Sequence, residues 1–172
     1  MLYPLNQLES AYPDLYLELR KRYATREDIA SLRIPPLANC LWNDVLHFSP
    51  VHPTRIKAAL AAAGHDLPPG WSTFFEINAR LMDPGAAVIY KLLTPLWSGQ
   101  FDVPAGSALI GRECLPFSPE ALNEFDQVPQ VARDYYASVK PGTNVMLFLG
   151  VPHVLYRGRI DLTLPGIQIL EV

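Results

Sequence analysis

Along residues 71–80, Trp71, Thr73, Phe75, Ile77 and Ala79 on odd positions alternate with Ser72, Phe74, Glu76, Asn78 and Arg80 on even ones. A period of two is that of a strand. Asp83-Pro84-Gly85 is a turn signal, so residues 86–93 read as the returning strand of a hairpin. In the last third, apolar runs at 144–149, 153–156 and 167–172 are separated by Gly150, Gly158 and Pro165-Gly166, which predicts an antiparallel meander.

Helical spacing dominates the first part. Asn6 followed by Glu9 has the form of a helix start, Tyr12-Pro13 interrupts it, and Leu15, Leu19 and Tyr23 then recur on one helical face. Thr25 with Asp28 opens another short helix ending near Arg33. Thr54 is a good N-cap for residues 55–63, with Gly64 as a stop and Ile56, Ala59, Leu60 and Ala63 as an apolar stripe. Ser118-Pro119 starts a helix toward Phe125, and residues 128–139 supply a further one. Residues 94–107 read as irregular and 108–110 as a short strand. The pattern predicts one α+β domain over residues 1–172, with N-terminal helices packed on a largely antiparallel sheet rich in C-terminal strands.

Bulk properties narrow the functional classes. An apolar share of 49% and a charged share of 18% belong to a chain that folds rather than stays disordered. A net charge of −3 gives no overall basic field. Cations gather in the first third at Arg20, Lys21, Arg22, Arg26 and Arg33, so a nucleic acid or other polyanion, if one binds, is expected to meet that region. No apolar run approaches the ~18 residues that span a bilayer, no membrane partner is expected, and a cytoplasmic location is the simplest expectation. Cys40 and Cys114 fit no disulfide framework.

Reactive groups crowd into residues 40–53, which read as a proline-braced loop outside any regular ladder. His47 and His52 with Cys40 and Asp44 are zinc-ligand types, but their spacing matches no finger; histidines bonded to backbone are the alternative, and no metal is expected. Cys40 as nucleophile with His47 as base would make a cysteine-dependent hydrolase, against a buried packing role for the thiol. Trp42, Asn43 and Asp44 combine a stacking surface with polar recognition, against simple capping by the Asn and Asp side chains. Downstream, His153, Leu155 and Arg157 share one face of an extended segment that points into a cleft or to solvent. No glycine-rich phosphate loop is present.

The run from Arg26 through Ile34-Pro35-Pro36 to Trp42-Asn43-Asp44-Val45-Leu46-His47-Phe48-Ser49-Pro50, followed by Arg55, resembles the middle of DNA-modifying ADP-ribosyltransferases of the DarT type, and residues 154–160 are similar to that family's last strands. The likeness covers about half the chain. It departs at the start, where Leu2-Tyr3-Pro4-Leu5 lacks the family's NAD-binding histidine, and at His153, which stands where the family has its catalytic glutamate. The resemblance implies NAD as cofactor, Trp42 stacking, Asn43 and His47 orienting the nicotinamide ribose, and Arg55 or Arg157 holding pyrophosphate. The acids to try as catalytic groups are Asp44 and Glu76. The leading expectation is therefore a nucleotide-like ligand bound by Trp42, Asn43, His47, Arg55, His153 and Arg157, with a non-catalytic protein-interaction domain as the rival.

Overall fold

A computed structural model describes residues 1–24, 27–91 and 113–172. Helices α1 (Leu5–Ala11) and α2 (Pro13–Arg20) pack on each other, followed by the short α3 (Glu27–Ala30). Strands β1 (Arg33–Ile34) and β2 (Cys40–Leu41) form a small antiparallel pair. Then come β3 (Leu46–Phe48), α4 (Pro53–Ala62), β4 (Thr73–Ile77), β5 (Ala87–Tyr90) and β6 (Cys114–Pro116). Helix α5 (Gln130–Ser138), β7 (His153–Tyr156) and β8 (Ile167–Glu171) complete the chain. The fold is α+β, and every strand pairing among the described residues is antiparallel.

The main sheet has the order β3-β7-β5-β6, and β4 pairs with β8 as a separate ribbon. Both faces of the sheet are covered. Val88, Tyr90 and Leu155 pack with Ile56 and Leu60 of α4 and Ala132 and Tyr136 of α5. Ile89, Val154 and Tyr156 face a second cluster with Met82, Phe117 and Ile160. Of the first helices, α1 lies against the 3-10 turn Trp42–Asp44, where Asn6 Nδ2 donates to Asp44 Oδ1 at 2.7 Å. A bridge between Leu2 and Ile160 anchors the start of α1.

Several expectations are corrected. The hairpin across 83–85 does not form, because Asn78 and Asp83 accept hydrogen bonds from the amides of Arg80 and Gly85, at 3.0 and 2.9 Å. Such bonds curl the backbone into the 3-10 turns Ala79–Leu81 and Pro84–Ala86 and turn the chain out of the plane of β4. Nor is there a C-terminal meander: β7 lies between β3 and β5, while β8 joins β4. Residues 144–149 are irregular backbone running into a turn rather than a strand, with Val145, Leu147 and Leu149 buried and Met146 exposed. The Tyr135 hydroxyl accepts from the Met146 amide at 3.1 Å and the Tyr136 hydroxyl donates to the Leu147 carbonyl, so tyrosines of α5 replace ladder partners.

Residues 40–53 are not a loop outside a ladder, since β3 within them pairs with β7. Helix α4 begins one residue before the expected Thr54 cap: His52 is the N-cap and Pro53 occupies the first turn. Gly64 does follow its end, at φ +80°, the left-handed conformation that favours glycine. On α2 it is Tyr16 that is buried, while Leu15 is exposed. The helix expected from Ser118 is a 3-10 turn, Ala121–Phe125. The cap at Thr25, the irregular stretch 94–107 and the strand at 108–110 lie outside the described residues.

Candidate functional site

The register of the sheet builds the site. Strand β3 sets His47 opposite Leu155, and β5 sets Tyr90 opposite His153, so alternation along β7 puts both imidazoles on the face that carries Tyr90. Strand β3 is an edge of that sheet, and a cleft of about 740 Å³ opens along it toward the β4–β8 ribbon. Trp42, Trp71, Phe74 and Phe148 line it with His47 and His153. Trp42 and His47 have ring centroids 4.4 Å apart, and those of His47 and His153 are 6.3 Å apart, edge to face. Phe148 continues the series at 6.4 Å from His153 and 5.6 Å from Trp71. The volume lies within the ~300–1,000 Å³ usual for small-molecule sites.

Each histidine spends one nitrogen on the backbone. His47 Nε2 is 3.0 Å from the Trp42 carbonyl oxygen, and His153 Nδ1 is 2.8 Å from that of Val151. A carbonyl only accepts, so these two nitrogens carry the protons. Crowding by the cleft walls, then the neighbouring His153, lowers the pKa of His47 to about 4, against the opposing pull of the Trp42 carbonyl. Solvent still reaches His47 at the mouth of the cleft and moderates that effect. Burial likewise depresses His153. Both shifts favour the uncharged rings, and His47 Nδ1 and His153 Nε2 remain as acceptors without a partner among the described residues.

Other residues expected at one site lie apart. Asn43 lines a different hollow, beside α2. Asp44 is occupied as a clamp, accepting from Asn6 and from the Leu41 amide at 2.8 Å, which is the capping alternative realised. Arg55 lines a third depression and pairs at 2.5 Å with Asp126, whose carboxyl its guanidinium holds below the usual range. Arg157 is exposed and lines none of these hollows. Glu76 does line the aromatic cleft and accepts a hydrogen bond from the Gln168 side chain. His52 lines it as well, with Nδ1 engaged by Thr54.

Cys40 is buried in the core beside Val45 and Leu37, and desolvation followed by the charge of Asp44 raises its thiol pKa. It does not line the cleft, so the Cys40–His47 pair of a hydrolase is not assembled there. Among the described residues no three metal-ligating side chains converge, and no helix is long and apolar enough to cross a membrane. Phe148 and Trp71 carried no signal that would place them here: one lay in an expected strand, the other at the start of an expected hairpin. No family model, curated protein or solved structure matches this chain.

Proposed function

We propose that the cleft along β3 binds a nucleotide-like ligand through its planar base. Support comes from one arrangement: two neutral imidazoles, each steered by a backbone carbonyl, offer free acceptor nitrogens within a wall of aromatic rings. A base stacked on Trp42 gains dispersion and quadrupole contacts, while its amino or carboxamide N–H groups donate to the imidazoles. NAD, which the family resemblance implies, carries both kinds of donor. For ADP-ribosyl transfer, Glu76 is the one carboxylate among the described residues lining the cleft. Asp44 is already engaged in its clamp.

Thermal unfolding in the presence of adenosine, AMP and NAD tests this reading, because a ligand that binds only the folded state raises the midpoint with concentration. An unchanged midpoint at millimolar levels of all three would remove it. A second reading rests on Phe75 and Ile169, which are directly paired across the ribbon and are 50% and 64% exposed. An apolar pair on an open ribbon suits a protein partner.

A further inference from the structure

The residue after Trp42 faces elsewhere. Asn43 is only 6% exposed and lines a hollow of about 630 Å³ beside α2. Among the described residues its side-chain amide has no hydrogen-bond partner, and none of their buried polar side-chain atoms lacks one, so the amide is open to solvent and the hollow it lines is where it opens. An amide reached from the hollow offers its unused donors and acceptor to a polar group that enters. Arg20 and Lys21 line the same space with Glu9, two cations against one acid.

The hollow adjoins the aromatic cleft. Tyr23 lines both spaces, and the cations run across that junction, with Arg20 and Lys21 on one side and Arg22 on the other. Adjacent α-carbons are about 3.8 Å apart, so the turn Trp42–Asp44 sends neighbouring side chains into two spaces within one nucleotide's length. Arg20 and Lys21 also complement the carbonyl end of α2; Asn43 has no such local use.

Resting on the base-binding reading above, we infer that the hollow under Asn43 is the phosphate subsite of the same ligand, so the chain favours phosphorylated nucleotides over nucleosides. The Asn43 amide donates to a phosphate oxygen, and Arg20 and Lys21 supply the opposing charge. This assigns the phosphate contact to a surface separate from Arg55 and Arg157.

Titrating the protein with adenosine and AMP, followed by tryptophan fluorescence, tests the assignment. AMP is expected to bind at least about tenfold more tightly than adenosine, the increment of a single charge-assisted contact being the lower bound. Asn43→Ala and, separately, the exposed Lys21→Gln should each shrink that ratio severalfold and leave adenosine affinity unchanged; the second variant stands clear of the core should the first misfold. Equal affinity for the two ligands, or a ratio that survives Lys21→Gln, overturns the phosphate subsite while the base-binding reading stands. Binding of neither ligand removes both.

Discussion

The imidazoles of His47 and His153 stand 6.3 Å apart, edge to face, although their strands come from opposite parts of the chain. Each is held by a backbone carbonyl beside it, Trp42 for one and Val151 for the other. The pairing gives the cleft two imidazoles whose pKa values are both lowered, by burial first, which favours their neutral, accepting form.

That depression has a pH signature. Between pH 6.5 and about 4 the unfolded chain binds protons at His47 that the folded chain does not. Stability from this site is therefore complete above 6.5 and is lost as pH falls toward 4. Urea midpoints measured across that range should decline, and His47→Gln should flatten part of the slope. An unaltered slope in the variant would show that His47 titrates normally.

Trp42→Leu should weaken binding of an adenine nucleotide by roughly threefold to tenfold through loss of the stacking face. Arg55→Gln should leave that affinity unchanged, because Arg55 is tied to Asp126 on another surface. Isothermal titration of both variants distinguishes this arrangement from one in which Arg55 holds pyrophosphate.

Asp44 bonds the Asn6 side chain and the Leu41 amide. Asp44→Ala should cost about 1–3 kcal/mol of stability, the usual cost of stranding such partners, as measured by chemical denaturation. Glu76→Gln, on the exposed ribbon, should leave stability nearly unchanged. A stable Asp44→Ala protein that no longer binds nucleotide would return Asp44 to the site.

Both thiols should resist alkylation in the native protein. Cys40 is buried with a raised pKa, and desolvation followed by the charge of Glu113 brings Cys114 up to about 11. Mass spectrometry after timed iodoacetamide exposure at pH 7.5 should find little label on either until the chain is unfolded. Rapid selective labelling of Cys40 would revive the hydrolase reading.

Much of the secondary structure was legible one element at a time. Helix α4, with Pro53 at its start and Gly64 beyond its end, follows from local backbone chemistry, and so does the existence of β4, although the face expected to be covered is not, since Trp71 and Phe75 are exposed. The α+β class follows from the order of those elements. Strand partners were not legible: β4 meets β8 and β7 sits between β3 and β5 because pairing depends on which apolar faces must share a core. Trp42 and His47 of the crowded stretch at 40–53 do line the aromatic cleft. Tertiary structure alone brought His153, Phe148 and Trp71 to them, and it turned Asn43, Arg55 and Arg157 toward other surfaces. A side chain's neighbours along the chain determine its backbone geometry, whereas its direction relative to a cleft depends on the register of strands that are distant in sequence.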